Sequence, residues 1–225
     1  MGLIQLTASD DHLLDAYESL PVGTPKGGLV ILQEVFGVTA HMRDMADRYA
    51  AAGYHCVVPA LFDRVERGIV LDYADIDRGR ELMGLIHREE LIEDVAAAGA
   101  QVSGSHEVAA VGYCWGGTVA WIAASALPLV AAVSYYGARI HQHMDLLPKC
   151  PMQFHYGDED AAIPPERIEE VRSALPDAEI HHYPAGHGFN CTDRRDYHAG
   201  CARLAMARSL VFLGRHLGRT TGASA

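Results

Sequence analysis

One short segment, Val108-Ala-Ala-Val-Gly-Tyr-Cys-Trp-Gly-Gly-Thr118, limits the possible folds of this chain more than any other. Its first four residues are apolar and predict a buried strand, and the alanine-rich stretch from Thr118 to Ala126 has a helical pattern. Between them, a glycine stands two positions to either side of Cys114. This arrangement is typical of a nucleophile elbow, a strained strand-to-helix turn whose backbone passes too close to its neighbours for a Cβ atom. The segment therefore predicts a strand, a turn and a helix that together present Cys114 as a nucleophile.

The position of Cys114 just before a helix also favours its reactivity. The first N–H groups of the helix and the positive end of its dipole would point at the sulfur and stabilise a thiolate. The alternative is a buried structural cysteine, the commonest fate of a free thiol, and the flanking glycines disfavour it. The other cysteines are at positions 56, 150, 191 and 201. An odd total of five without a Cys-x-x-Cys pair indicates no disulfide framework.

Composition and charge exclude several classes of function. A net charge of −11 argues against nucleic-acid binding and offers no basic patch to an anionic membrane. No apolar run approaches the length of a membrane span, and the N-terminus does not resemble a signal peptide, so a cytoplasmic location is expected. The histidines of His141-Gln-His143 and His181-His182 lack partners at the spacing of metal ligands. We therefore expect neither a metal site nor a cofactor.

Apolar segments alternate with helical patterns along the chain and predict the fold class. The predicted strands are 28–33, 54–58, the elbow strand, 129–135, 151–156 and 178–183, with two weaker candidates, 3–7 and 12–18, at an antiparallel edge. The predicted helices are 41–52, most of 75–100, 118–126, 165–174 and 197–217. Such alternation is typical of an α/β fold with a mostly parallel, doubly wound sheet and helices on both faces. No repeat or linker is visible, so a single domain over residues 1–225 is expected.

The residues that follow the predicted strands are the candidates for catalysis, because active sites in open α/β sheets form beyond the carboxyl ends of the strands. After Cys114, the turn Asp158-Glu159-Asp160 follows one later strand, and His187 lies on a glycine-flanked loop after another. The order nucleophile, acid, histidine is that of α/β-hydrolases. A histidine oriented by a carboxylate supplies the base that a thiol needs. Asp160 is favoured as the acid because it and the following Ala-Ala-Ile-Pro164 resemble the Gly-x-x-Asp-x-x-hydrophobic-Pro turn that is common after this strand in α/β-hydrolases. Asp158 is then expected to be an exposed turn residue.

Glu34 ends the apolar strand 28–33, where a carboxylate is either solvated at the sheet edge or held beside the nucleophile. Four segments together resemble the dienelactone hydrolase family over nearly the whole chain, in order and at matching spacing. They are Gln33-Glu-Val-Phe-Gly-Val38, Gly112-Tyr-Cys-Trp-Gly-Gly117, Gly157-Asp-Glu-Asp160 and Ala185-Gly-His-Gly-Phe189.

The resemblance implies an α/β-hydrolase fold and a role for each matching residue. It implies a catalytic triad of Cys114, Asp160 and His187. It also implies that Glu34 contacts the resting thiol and exchanges partners when substrate binds.

Other residues are implied to contact the substrate. The backbone N–H groups of Val35 and Trp115 are implied to form the oxyanion hole. Phe36 and Trp115 are expected to supply apolar walls to the substrate site, and either could equally belong to the core.

Family members that open dienelactone bind the substrate carboxylate with two arginines. Arg80 matches the first with one residue of slippage, and the alternative for it is an ordinary exposed helix arginine. The second arginine is expected four residues after the catalytic histidine, where this chain has Cys191. Arg194 or Arg195 is then the nearest replacement.

The predicted activity is that of a monomeric, metal-independent cysteine hydrolase that opens an enol-lactone or an activated carboxylic ester through an acyl-enzyme. One alternative is a broader carboxylesterase or thioesterase with another small-molecule substrate. A second alternative is a non-catalytic α/β-hydrolase fold that serves as a binding or redox-sensing module through Cys114.

Overall fold

The computed structural model describes residues 1–104 and 106–217. These residues form one sheet of eight strands in the spatial order β1-β2-β4-β3-β5-β6-β7-β8. The strands are β1 (Gly2–Thr7), β2 (Leu13–Ser19), β3 (Gly28–Leu32), β4 (His55–Pro59), β5 (Val108–Tyr113), β6 (Ala131–Tyr135), β7 (Met152–Gly157) and β8 (Glu179–Tyr183). Strands β3 to β8 run parallel, and β1 and β2 form the predicted antiparallel edge. The domain predicted over 1–225 includes residues 105 and 218–225, which lie outside the described part of the chain.

Helices cover both faces of this sheet. The α-helices of the described residues are α1 (Ala40–Ala51), α2 (Ile76–Leu85), α3 (Arg88–Ser103), α4 (Trp115–Ala126), α5 (Pro165–Ala174) and α6 (Ala199–His216). Helix α1 leads from β3 outward to β4, whereas α3 leads from β4 back across β3 to β5. Because such connections are right-handed, these two helices lie on opposite faces, and α4 packs beside α3. The predicted doubly wound α/β fold is confirmed.

The centre of the molecule is buried on all sides, which accounts for its apolar sequence. All five residues of β3 are buried, as expected for a parallel strand covered by helices on both faces. Helix α4 is buried from Trp115 to Ser125, so it is apolar around its whole circumference. No helix of residues 1–104 and 106–217 is both long enough and apolar enough to cross a membrane.

The strand register brings the carboxyl ends of the parallel strands level. Leu32 at the end of β3 pairs with Gly112 of β5, Tyr113 pairs with Tyr135, and Gly157 pairs with the last residue of β8. The loops that follow β3, β5, β7 and β8 therefore open at one edge of the sheet. This edge is where the predicted site residues meet.

The structure refines the predicted helices at two places. The region 75–100 is mostly helical, as predicted, and consists of two helices, because the chain breaks at Ile86-His87 before α3 begins. The break is stabilised by the Glu90 side chain, which accepts a 2.7 Å hydrogen bond from the His87 N–H at the start of α3. Helix α4 begins at Trp115, three residues earlier than predicted, because it starts directly from the elbow.

Candidate active site

Cys114 occupies a strained elbow between β5 and α4. Its backbone has φ 54° and ψ −117°, a positive φ that a residue with a side chain rarely adopts. The two elbow glycines make this turn possible, because a Cβ at Gly112 would overlap the carbonyl of Gly116, and one at Gly116 would overlap the carbonyl of Leu32. The Cys114 N–H donates to the Tyr135 carbonyl at 3.0 Å, which fixes the elbow to β6. The sulfur therefore stands at the N-terminal end of α4 on a rigid support.

His187 connects Cys114 to a buried carboxylate. Its Nε2 lies 3.2 Å from the Cys114 Sγ, and its Nδ1 lies 2.7 Å from Oδ2 of Asp160. The Asp160 side chain is fully buried, and its Oδ1 accepts a 2.8 Å hydrogen bond from the Ala162 N–H. An ionised carboxylate only accepts hydrogen bonds, so Asp160 holds the imidazole with its proton on Nδ1 and its Nε2 toward the sulfur.

Two backbone hydrogen bonds hold the acid-bearing turn to the histidine loop. The N–H groups of Asp158 and Glu159 donate to the carbonyls of Tyr183 and Ala185 at 2.8 and 3.0 Å. The Asp158 side chain itself points away, where its Oδ1 lies 3.0 Å from Nδ1 of the exposed His182. Of the three acidic residues in this turn, only Asp160 reaches His187.

The environment of His187 favours its protonated form. Burial by itself lowers the pKa of this histidine, but the negative charges of Cys114 and Asp160 on its two sides outweigh the burial and raise its pKa to about 10. The arrangement can therefore hold a thiolate beside an imidazolium, the form in which a cysteine is an effective nucleophile.

Glu34 is completely buried in the loop after β3. In this arrangement its carboxylate makes no hydrogen bond to the Cys114 thiol, because the thiol pairs with His187 and the carboxylate faces a cation. That cation is Arg194, whose Nη1 lies 3.7 Å from the Glu34 Oε1. Burial raises the pKa of Glu34, and the positive charges of Arg194 and His187 offset only part of this increase.

Arg194 is the residue that reaches Glu34, whereas Arg195 is exposed and Cys191 is buried. The Arg194 guanidinium lies 5.8 Å from the ring centre of Phe36, close enough for a cation–π contact. Phe36 is itself only 1% exposed and packs edge-on against Tyr73 at 4.7 Å. Phe36 therefore belongs to the core and supports Arg194, instead of forming the predicted wall of the substrate site.

Two residues of the predicted oxyanion hole, Val35 and Trp115, lie beside the Cys114 sulfur in one cleft. The Val35 N–H has no acceptor among the described residues, and the Trp115 N–H opens α4, where the first N–H groups of a helix have no acceptor within it. Val35 and Trp115 line the same cleft as Cys114 and His187. The two donors thus have the environment that an oxyanion hole requires.

This cleft has a volume of about 350 Å³ and carries two arginines. Arg80 lines it from α2, is about half exposed and pairs with Asp77 at 3.0 Å. Arg139 lines it from the segment after β6, and its side chain has no acidic partner among the described residues. Trp115 forms an apolar wall and stacks on Phe62 with ring centres 5.2 Å apart.

Sequence reasoning missed two further residues beside Glu34. Tyr136 has a positive φ of 41° and packs edge-on against His187 at 5.1 Å. It directly follows β6, so inspection of every strand end would have found it. His41 is buried at the start of α1, and this burial lowers its pKa to about 4. No local pattern marks His41, because its neighbours in space come from distant segments.

Comparison with known proteins gives consistent matches over most of the chain. A profile described as "Dienelactone hydrolase family" matches residues 14–217. The chain is 35% identical to a carboxymethylenebutenolidase of Pseudomonas putida, covering 93% of this chain and 94% of that protein. It is also 35% identical to a "Putative carboxymethylenebutenolidase" of Yersinia pestis, covering 84% of this chain and 78% of that protein. A crystal structure titled "Putative Dienelactone Hydrolase", from Klebsiella pneumoniae, superimposes with a TM-score of 0.81 at 30% identity, covering 96% of this chain and 100% of that one.

Proposed function

Because this chain belongs to the dienelactone hydrolase family and is a carboxylic ester hydrolase, we propose that it opens an enol-lactone or an activated ester through an acyl-enzyme on Cys114. One observation carries the proposal. On a strained elbow, the Cys114 sulfur lies 3.2 Å from His187, which in turn lies 2.7 Å from the buried Asp160. We also propose that the protein acts as a monomer.

The reaction proceeds in two acyl transfers. The Cys114 thiolate attacks the ester carbonyl, and the N–H groups of Val35 and Trp115 stabilise the negative oxygen of the tetrahedral intermediate. The intermediate expels the enolate or alkoxide, which takes the proton from His187 Nε2, and a thioester remains on Cys114. His187 then removes a proton from water, which attacks the thioester and releases the acid and the thiol. Asp160 orients the imidazole and stabilises its charge in both steps.

The thiol nucleophile favours substrates with good leaving groups. A thiol has an ordinary pKa of about 8.5, far below that of an alkyl alcohol, so a tetrahedral intermediate with a simple alkoxide expels the thiolate instead. An enolate or phenolate is a much weaker base than an alkoxide, so it can leave the intermediate in competition with the thiolate. Enol-lactones and aryl esters therefore fit the site better than alkyl esters or amides.

Glu34 is proposed to change partners during the cycle. Here its carboxylate faces Arg194 at 3.7 Å while Cys114 pairs with His187. This is the arrangement that a reactive thiolate requires. We infer that in the resting state the carboxylate turns to the thiol instead, so that the nucleophile is protected until substrate binds.

The two arginines of the cleft favour the binding of an anionic substrate. With a net charge of −11, the protein repels anions at long range, so an anionic substrate needs cations close to the sulfur. Arg80 is proposed to bind its carboxylate, in competition with Asp77. Arg139 has no such competitor among the described residues and is proposed to help.

The proposal is tested by turnover of p-nitrophenyl acetate and of a dienelactone. We expect Cys114→Ala to lose about 10³-fold or more in kcat on both substrates, because no other group can form the acyl-enzyme. Cys150→Ala is the control, since that half-buried thiol lies outside the cleft. Mass spectrometry of rapidly quenched wild-type protein should find an acetyl group on Cys114. A single acetylation without turnover would indicate a binding or redox module instead, and full activity of Cys114→Ala would refute the proposed nucleophile.

A further inference from the structure

Behind the proposed catalytic residues lies a second cluster of polar side chains that the mechanism does not need. Glu34 follows β3, His41 lies in α1, and Cys191 lies on the loop before α6. One carboxylate oxygen, one imidazole nitrogen and the thiol sulfur of these residues lie within 4.8 Å of one another.

The polar atoms of this cluster are buried without partners. His41 is 3% exposed and Glu34 is fully buried, yet neither ring nitrogen and neither carboxylate oxygen has a hydrogen bond within the described residues. Each such buried polar atom costs about 1–3 kcal/mol unless something satisfies it. The Cys191 thiol donates to the Tyr73 hydroxyl at 3.2 Å. The cluster thus brings together a nitrogen, an oxygen and a sulfur atom that could all bind one ion between them.

The chemistry of these donors points to one class of partner. Imidazole nitrogen, thiolate sulfur and carboxylate oxygen are the ligands that Zn²⁺ prefers, whereas Ca²⁺ and Mg²⁺ take oxygen ligands. A thiolate and a carboxylate together neutralise the charge of Zn²⁺, which a fully buried site requires. The nearby Arg194 does not hold Glu34 by a hydrogen bond, because their contact is a 3.7 Å ion pair and the Arg194 Nη1 makes no hydrogen bond within the described residues.

We propose that Glu34, His41 and Cys191 form a binding site for Zn²⁺, and that Zn²⁺ inhibits the enzyme by withdrawing Glu34 from Arg194 and Cys114. On binding, the Cys191 thiol releases its proton to solvent, its sulfur coordinates the ion, and water completes the coordination. No electron is transferred. The inhibition rests on the proposed function of Glu34, whereas the binding itself does not.

Cobalt provides a test of binding that needs no activity. In the variant Cys114→Ser, which removes the competing thiol, we expect Co²⁺ to produce a thiolate-to-cobalt charge-transfer band in the near ultraviolet, and Zn²⁺ to abolish it by displacement. Adding Cys191→Ser should remove the band, and adding His41→Gln should weaken Co²⁺ binding by about tenfold or more. Circular dichroism of each variant establishes that it is folded, and Cys150→Ser in the same background is the matched thiol control.

The possible outcomes separate the two proposals. A band that is absent from Cys114→Ser but present in wild type would mean that the metal binds the nucleophile, and the site proposed here would be wrong. A band that survives Cys191→Ser in folded protein would overturn it as well. In the wild type, Zn²⁺ should inhibit ester turnover. His41→Gln should raise the Zn²⁺ concentration that halves turnover by about tenfold, where the turnover of each protein is expressed relative to its own rate without metal. If no variant or wild type turned over esters, the function would fail while the cobalt spectra would still decide the metal site.

Discussion

The assignment of Asp160 as the orienting acid leads to a prediction whose size follows from the hydrogen bonds around its carboxylate. Oδ1 accepts from the Ala162 N–H at 2.8 Å and Oδ2 faces His187 Nδ1 at 2.7 Å. In the variant Asp160→Asn, the amide oxygen stays on the Ala162 N–H, because an NH₂ group there would face another donor. The amide NH₂ then faces Nδ1 of His187, which must become the acceptor. The imidazole proton moves to Nε2, where it blocks transfer from the thiol.

This change of tautomer should lower kcat strongly. The equivalent substitution in serine triads costs about 10⁴ in kcat, and we expect Asp160→Asn to cost about 10³–10⁴, or roughly 4–5.5 kcal/mol of transition-state stabilisation. Loss of the buried charge should also lower the pKa of His187 from about 10. Imidazolium would then be lost at lower pH, so alkylation of Cys114 by iodoacetamide at pH 6–7 should become slower.

Asp158→Asn is the matched control for this prediction. Asp158 lies on the same turn, but its partner is the exposed His182 at 3.0 Å, and such exposed pairs contribute little. We expect its kcat/KM on p-nitrophenyl acetate to stay within about twofold of wild type. The reasoning would be refuted if Asp160→Asn kept more than about a tenth of the activity, or if both variants lost it equally.

Three further predictions test other parts of the site. Glu34→Gln should accelerate alkylation of Cys114 in the free enzyme and lower kcat, because it removes the carboxylate that protects the resting thiol. If neither the alkylation rate nor kcat changed, Glu34 would be a structural residue. Arg80→Ala and Arg139→Ala should each raise the KM for a carboxylated lactone by about threefold to tenfold, the size expected for exposed charges, and equal effects on a neutral ester would exclude a role in anion binding. Gly116→Ala should reduce the free energy of unfolding in urea by about 3 kcal/mol or more, since its Cβ would overlap the Leu32 carbonyl, and a wild-type midpoint would contradict the close approach.

The sequence alone was sufficient to predict the fold and much of the arrangement at the sheet edge. Continuous apolar runs marked the buried strands, and the residues that follow them fall at the same edge because the register keeps the strand ends level. Cys114, Asp160 and His187 could therefore be predicted to meet before any distance was known.

Residues set by loop conformation could not be predicted in this way. The family resemblance implies a second arginine four residues after His187, where Cys191 stands. Tight turns follow instead, in which the Cys191 N–H donates to Gly188 and the Arg194 N–H donates to Cys191, and they bring Arg194 to Glu34. The path of a loop depends on such hydrogen bonds, and no periodicity encodes it.

The break between α2 and α3 shows the same limit and has a consequence for the site. No glycine or proline stands at Ile86-His87, so the sequence pattern, which predicts that 75–100 is mostly helical, does not mark the break. The separate, short α2 approaches the loop after β3 so closely that a Cβ at Gly79 would overlap the Val35 carbonyl. Helix α2 thereby packs against Val35, the residue whose N–H is proposed for the oxyanion hole, and carries Arg80 to the cleft.

The buried charges around the Cys114 sulfur make the protonation states of the neighbouring groups depend on one another. Asp160 and Glu34 are buried carboxylates, and Arg194 and a protonated His187 provide two positive charges to balance them. A Cys114 thiolate adds a third negative charge, which no further cation close by compensates among the described residues. Because an uncompensated buried charge is costly, thiolate formation and protonation of Glu34 should be coupled, and burial already raises the pKa of Glu34. Acylation of the sulfur removes the excess charge, so the same electrostatics that restrain the resting thiol favour its reaction once a substrate carbonyl is in place.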